Sequence, residues 1–475
     1  MNTRLHGGLP LDAHRARSMA EPIKLATVSA ELVLPLDQHV GMAAKPLVRE
    51  GQRVRRGEPI GAADGHLSAW LHSPVSGRVQ AIEARAVPYG ADTKSLCVVI
   101  TNDFADESVV SEPVAAFESL PPAALSEHIG KGGIVGLGGA VFPTEVKLAS
   151  AREPELLLIN GAECEPYISC DDMLMRGRAT DVIAGARILL HALAAKRCII
   201  AIEADSVEAA ASLSVAIAAA RDERLQLRTV PPIYPAGGER QLITALFEHE
   251  VPSGSLPASI GVICQNVGTA AAVARWVRDG EPLVSRIVTV TGDGVREPRN
   301  LEARLGVPLS SLVADCGGYT ERAERLIMGG SMMGIALRSD ALPLIKASNC
   351  VIAASPRDLT PRGPELPCIR CGDCSDACPA RLLPQQLHWH IRSGDDNALQ
   401  ALGLADCIEC GCCDYVCPSQ IPLVERFRVA KLSLRETLAA RTRADVALAR
   451  FTAREQRLAN EQAARTAQLA AKRQA

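Results

Sequence analysis

Two runs of cysteine share one spacing: Cys368, Cys371, Cys374 and Cys378 ahead of Pro379, and Cys407, Cys410, Cys413 and Cys417 ahead of Pro418. Thiolates are soft metal ligands. Two-residue gaps let one loop wrap a cubane and aim three sulfurs at three different irons, with the fourth cysteine placed where the chain leaves the loop. Gly372 and Gly411 let backbone N–H groups approach those sulfurs. Structural zinc is the competing reading, but its sites use separated Cys-x2-4-Cys knuckles rather than three evenly spaced cysteines and a Cys-Pro. The runs therefore read as sites for two 4Fe-4S clusters, whose chemistry is electron transfer. Cys412 is out of register and is not expected to be a ligand. His388 and His390 lie nearby without a metal-ligand pattern.

A second candidate is GGIVGLGGAVFPTEVKL (132–148), with five glycines in its first eight residues and a helix-like stretch behind them. Such a loop lets backbone approach a phosphate, and a following helix adds N–H donors. It is not a Walker loop, because no Gly-Lys-Ser/Thr follows, and its spacing is not the usual dinucleotide fingerprint. A plain glycine-rich turn stays open as the alternative.

The elements that must position these groups change in texture along the chain. Residues 28–109 read as a hairpin-rich sheet. In it, VREGQRVRRGEPIG (48–61) and HSPVSGRVQAIE (72–83) resemble the halves of a lipoyl-type barrel-sandwich domain. No lysine lies between these halves, so the domain reads as structural. Residues 110–281 alternate strands (155–160, 197–204, 225–231) with helices (181–195, 206–223), the pattern of a Rossmann-like parallel sheet. Residues 282–352 resemble an SLBB β-grasp domain with a glycine- and methionine-rich turn at 328–334. A proline-rich linker (355–367) opens the tandem-cluster segment at 353–425, and 426–475 reads as a basic helical tail. Residues 1–27 form an N-terminal extension. The fold class is multidomain α/β and α+β.

Composition is that of a globular chain, 47% apolar and 22% charged, which excludes wholesale disorder. No 18-residue apolar window is present, so no membrane span is expected, and MNTRLHGGLPLDAHRARS lacks the apolar core of a signal peptide. Sixteen cysteines without an export signal suit thiolate ligands in a reducing compartment. From Glu425 onward, twelve Lys/Arg face five Asp/Glu, a net +7 within a chain of net charge −3. That contrast suits an acidic partner or an anionic membrane surface, or simply a solvated helix face. Nothing in the pattern points to nucleic acid, and no Ser–His–Asp or zinc-protease constellation is present.

The chain resembles the C subunit of the Rnf electron-transport complex over nearly its whole length, on LHGGLP at the start, the SLBB-like stretch and CIECGCCDYVCPSQIPLV (407–424). Residues 130–270 are similar to the flavoprotein subunit of respiratory complex I. The likeness to two-cluster ferredoxins implies crossed ligation: Cys368, Cys371, Cys374 and Cys417 for one cluster, and Cys407, Cys410, Cys413 and Cys378 for the other. The resemblance to the flavoprotein implies FMN, with Gly136, Gly138, Gly139 and Lys147 around the flavin and its phosphate. Asn160 and Glu163, in NGAECEP, would line the ring, and Asn266 and Thr269, in QNVGTA, would form a turn near phosphate and ring. Phe142 would stack on the nucleotide, and Glu165 and Glu239 would be the NADH-side carboxylates. Leu137, Ser150, Ala162 and Gly238 depart from the family's residues. The implied activity is electron exchange between NADH and ferredoxin. The implied setting is a peripheral position on the cytoplasmic face of the inner membrane, docked on other membrane and peripheral subunits. A non-enzymatic electron-relay adaptor with a degenerate flavin domain is the alternative.

Overall fold

The computed structural model describes residues 5–90, 92–109, 111–150, 154–359 and 362–474. It divides into two compact units. The first contains 1–364 together with 377–381 and 410–412; the second contains 365–376, 382–409 and 413–475.

The first unit begins with β1 (Lys24–Leu25), which belongs to a sheet formed much later in the chain. Two small antiparallel sheets follow. One pairs β2 (Glu31–Pro35), β4 (Arg53–Val54), β7 (Gly77–Ala86) and β8 (Lys94–Asn102) in the order β2-β8-β7-β4. The other is β3 (Lys45–Pro46), β5 (Pro59–Ala62) and β6 (Leu71–His72). This is the barrel-sandwich architecture expected from the two glycine-punctuated halves.

Helices α1 (Pro122–Lys131) and α2 (Thr144–Ala149) flank the glycine loop and lead into the α/β domain. There β9 (Leu156–Gly161), α3 (Cys170–Ala192), β10 (Arg197–Glu203), α4 (Val207–Ala220), β11 (Leu225–Val230), α5 (Glu239–Phe247), β12 (Val262–Asn266) and α6 (Val267–Asp279) alternate. All strands are parallel, in the order β11-β10-β9-β12. Parallel strands are covered on both faces, and their runs are nearly all apolar for that reason. Successive side chains point to opposite faces. Leu157, Ile159, Ile200, Ile202 and Ile263 join a core with α3, α4 and α6, while Leu156, Leu158, Ile199, Ala201 and Val262 join the core with α5. Helix α3 starts well before the sequence pattern suggested, and Arg178 interrupts its helical backbone.

The β-grasp sheet contains β13 (Ser285–Thr291), β14 (Arg299–Arg304), β15 (Arg325–Met328), β16 (Ile335–Leu337) and β17 (Cys350–Ala354), with α7 (Leu309–Asp315) packed beside it. Its order is β1-β14-β13-β17-β15-β16. The N-terminal extension is thus part of the fold, because β1 adds in parallel to β14. Leu32, Leu34 and Leu36 of the sandwich share one core with Val288, Leu301, Leu312 and Val351 of this sheet. A buried polar network fixes a second junction, joining the N-terminal extension, the start of α3 and the β-grasp sheet. The Ser18 and Ser169 hydroxyls lie 2.8 Å apart, and Asn300 donates to Ser169 Oγ and to the Ser18 carbonyl. Thr289 donates to Asn300 and accepts from the Ser169 amide. With every member paired, such a network rigidifies the junction instead of weakening it.

The second unit holds α8 (Asp373–Asp376), α9 (Pro384–Ser393), α10 (Asp396–Ala401), part of α11 (Cys412–Tyr415) and α12 (Leu423–Gln474). Its core is Leu387, Leu399, Leu404, Ile421, Leu423, Val424, Phe427 and Leu434. The tail is one helix of 52 residues, exposed from Leu438 to Arg473. No helix among the described residues is long and apolar enough to cross a membrane.

Candidate functional site

Open α/β sheets bind ligands beyond the carboxyl ends of their strands. In this sheet that edge is marked by Asn160 and Asn266, register partners at the ends of β9 and β12. The glycine loop arrives beside them: a Cβ on Gly138 would stand 3.5 Å from Asn266.

The loop is held on its inner side and open on its outer side. A narrow hairpin closes it, with Gly136 N donating to Phe142 O (2.8 Å) and Val141 N to Gly136 O (3.0 Å). Leu137 N donates to Thr269 Oγ1 (2.9 Å), and Arg286 donates to Leu137 O (3.2 Å). The ammonium of Lys346 donates to Gly133 O (2.7 Å) and Trp70 O (2.8 Å). Thr269, Arg286 and Lys346 are all buried. Gly138, Gly139 and Ala140 are exposed, and a Cβ on Gly139 would meet nothing within 4 Å. The φ of Gly139, +103°, disfavours any side chain there in addition. The result is a rigid strip of bare backbone beside the sheet edge, a surface that side chains would fill and a phosphate or flat ring can use.

The polar residues around the strip are committed to defined partners. Asn160 Nδ2 donates to Gly237 O (2.8 Å), and its Oδ1 accepts from Ala162 N (3.0 Å). Asn266 Oδ1 caps α6 through Gly268 N (2.8 Å), and its Nδ2 donates to Asp171 Oδ2 (2.6 Å). Glu163 accepts from the amides of Asp171 (3.0 Å) and Asp172 (3.1 Å), satisfying donors that the start of α3 leaves free. Burial, reinforced by Asp171, pushes the Glu163 carboxyl above the usual carboxylate range. Oxygen and sulfur atoms of Glu163, Cys170 and Asp171 fall within 4.8 Å of one another, but the Glu163 oxygens are already engaged by these amides. Lys147 Nζ lies 2.7 Å from Glu239 Oε1, so the cation expected around the flavin and its phosphate is paired with an expected NADH-side carboxylate. Glu165 Oε1 accepts from Met332 N (2.8 Å) and Met333 N (2.9 Å). Phe142 is half-buried at the base of the hairpin.

In the second unit, one cavity is lined by Cys368, Cys371, Cys374 and Cys417, with Ile369, Ile421 and Leu423 among its apolar walls. Four thiols around a small apolar cavity are a donor set suited to an iron–sulfur cubane. Three of them come from the first cysteine run and one from the end of the second. Lys431 Nζ donates to Cys407 O (2.9 Å) and pairs with Glu409 (2.7 Å), tying the second run to α12. Cys412, outside the spacing pattern, is fully buried.

Comparison with known proteins bears on both sites. Residues 129–275 match the Nuo51 FMN-binding domain, and 367–421 match a 4Fe-4S dicluster domain. Residues 3–105 match the RnfC barrel sandwich hybrid domain, and 287–336 match the SLBB domain. The C subunit of the ion-translocating oxidoreductase complex of Haemophilus influenzae is 39% identical over 457 residues, which cover 96% of this chain and 68% of that protein. The chain belongs to the RnfC family. The C subunits of the same complex in Pseudomonas aeruginosa and Vibrio cholerae are 45% and 44% identical, each over 97% of this chain. The chain spans only 60% and 59% of their lengths. The NAD+-reducing nickel–iron hydrogenase in its hydrogen-reduced state overlaps 62% of this chain and 59% of that one, at 20% identity and a TM-score of 0.45. The family matches support FMN in the α/β domain and 4Fe-4S chemistry in the cysteine segment.

Sequence reasoning singled out the glycines and cysteines but missed Arg286 and Lys346. Each sits in a stretch that reads as β-grasp sheet, and the only signal was a single cation inside an apolar run, SRIVTV and LPLIKAS.

Proposed function

We propose that this RnfC-family chain takes electrons from NADH at the α/β domain and relays them through two 4Fe-4S clusters, as part of a complex exchanging electrons between NADH and ferredoxin. The observation that carries this reading is the rigid, exposed backbone strip at Gly138–Ala140, set at the carboxyl edge of a parallel sheet that matches an FMN-binding family. FMN bound there would accept a hydride and release its electrons singly. The chain's own groups would hold and orient it. Gly136, Gly138 and Gly139 offer backbone, Lys147 offers a cation for the phosphate, and Phe142, Asn160, Glu163, Asn266 and Thr269 shape the floor. Glu239, paired with Lys147, would face the nicotinamide nucleotide.

In this reading Cys368, Cys371, Cys374 and Cys417 ligate one cluster, and Cys407, Cys410, Cys413 and Cys378 the other. The chain works on the cytoplasmic face of the inner membrane, held by membrane and peripheral subunits. The basic stretch of α12 would add contact with anionic lipid, worth roughly 1 kcal/mol per cation near the surface. The test is an NADH:ferricyanide assay on the anaerobically purified chain, with flavin and iron counted in the same sample. Turnover that scales with flavin content supports the reading.

A second reading, an electron-relay adaptor without flavin, draws on one observation: Asn160, Asn266 and Glu163 already have partners within the protein. A chain that retains full iron but no flavin, and does not oxidise NADH, would favour it.

A further inference from the structure

Within the first unit, the N-terminal segment and the α/β domain grip two of the cluster cysteines through backbone. Tyr234 is 2% exposed, and its hydroxyl donates to Cys410 O at 2.6 Å. Its main chain pairs with Leu9 in both directions, Leu9 N to Tyr234 O (2.7 Å) and Tyr234 N to Leu9 O (3.0 Å). One residue earlier, Gly8 N donates to Ala377 O (3.0 Å), next to Cys378.

The two glycines of LHGGLP are what this geometry requires. A Cβ on Gly7 would lie 2.7 Å from the carbonyl carbon and oxygen of Cys378, and one on Gly8 would lie 2.6 Å from Tyr234 O. Their φ angles, +62° and +80°, are left-handed as well. On the other side, a Cβ on Gly411 would be 3.3 Å from Met332 O. The neighbouring Met332 and Met333 amides are the donors to Glu165, whose half-buried carboxylate also lies against the Tyr234 hydroxyl.

We propose that Tyr234 and Glu165 are positioning residues that set the reduction potential of one cluster, the one to which Cys378 and Cys410 contribute, while Gly7 and Gly8 hold the Cys378 turn in place. The proposal rests on the two-cluster reading given above. A cluster's potential follows from the charges, dipoles and burial around its sulfurs. The Tyr234 hydroxyl directs the positive end of its dipole toward the Cys410 peptide, which favours the more negative, reduced cluster. The Glu165 carboxylate, held by the Met332 and Met333 amides, places negative charge in the same corner and opposes it. Removing the two groups should therefore move the potential in opposite directions.

The experiment is an EPR-monitored redox titration of the full chain, anaerobically reconstituted with iron and sulfide, with folding checked by circular dichroism. The wild type should give two midpoint potentials. Tyr234→Phe, which keeps the aromatic packing, should lower one of them, Glu165→Gln should raise the same one, and the second should stay in place for both variants. Gly7→Val should lose about half of the iron, with the EPR signal that disappears being the one shifted by Tyr234→Phe. A wild type with fewer than two clusters defeats the underlying reading before any variant is compared. Two clusters whose potentials both ignore Tyr234→Phe, or a Gly7→Val chain with full iron, overturn the proposal itself.

Discussion

Lys147 and Glu239 form an ion pair, ammonium to carboxylate at 2.7 Å, one from α2 and one from the first residue of α5. Both are partly exposed, so the pair itself contributes little to stability. In the proposed reading, each holds the other beside the flavin phosphate. A phosphate arriving there would take over the cation. Lys147→Met should weaken flavin retention by roughly 10- to 100-fold, the range for losing one charge-assisted hydrogen bond. Glu239→Gln should leave flavin content near wild type and lower NADH turnover more strongly. Equilibrium dialysis of FMN against each variant, with turnover measured in parallel, checks both.

The glycine strip gives a sharper steric prediction. The position a Cβ would occupy on Gly138 has its nearest neighbour, Asn266, at 3.5 Å, an ordinary contact. Gly138→Val should therefore fold normally while its branches occupy the space reserved for the ligand. Purified Gly138→Val should show native circular dichroism and no bound flavin. Flavin retained at wild-type stoichiometry would place the pocket elsewhere.

For the cysteines, the cavity bounded by Cys368, Cys371, Cys374 and Cys417 makes crossed ligation testable one residue at a time. The wild type should hold about eight irons per chain. Cys417→Ala and Cys371→Ala should disturb the same EPR signal despite lying in different runs, and Cys378→Ala should disturb the other. Cys412→Ala should leave iron content unchanged.

Lys346 supplies a pH prediction. Complete burial pulls its pKa from 10.5 down to about 7, while its ammonium bonds the Gly133 and Trp70 carbonyls. His72 and His39 face the same pocket, and burial and the Lys346 charge hold both below the usual histidine range, His72 at about 3. Between pH 7 and 10.5 the unfolded chain binds more protons than the folded one, so stability rises with pH across that window. Below pH 7 the cost of the buried charge is felt in full. The Tm of the wild type should therefore rise from pH 7 to pH 9.5 relative to that of Lys346→Met, whose profile lacks this contribution. Parallel profiles would remove Lys346 as the cause.

Much of this was legible in the residues, for reasons that can be named. Strands such as LLLING and RCIIAIE are short apolar runs bounded by helices, and a parallel sheet is the arrangement that buries both their faces. The cysteine spacing is a local geometric demand, so it survives reading in one dimension. The glycine loop was visible, but not what holds it. Thr269, Arg286 and Lys346 reach it from 132, 149 and 213 residues away, and a long-range anchor leaves no periodicity to read. The N-terminal extension was opaque for the same reason. Lys24–Leu25 is a two-residue strand, exposed and without alternation, and only its pairing with Leu301 and Glu302 makes it one. Asn160, Glu163 and Asn266 were singled out from the sequence as candidates, while their internal partners became apparent only in three dimensions.

We infer that electrons enter this chain from NADH at the α/β domain and reach its clusters. An anaerobic NADH titration of the purified, reconstituted chain, followed by visible absorbance and by EPR, tests it most directly. NADH should bleach the flavin band, and signals of reduced 4Fe-4S clusters should then appear. A chain holding stoichiometric flavin and full iron, whose absorbance and EPR spectra stay unchanged by excess NADH, would contradict it.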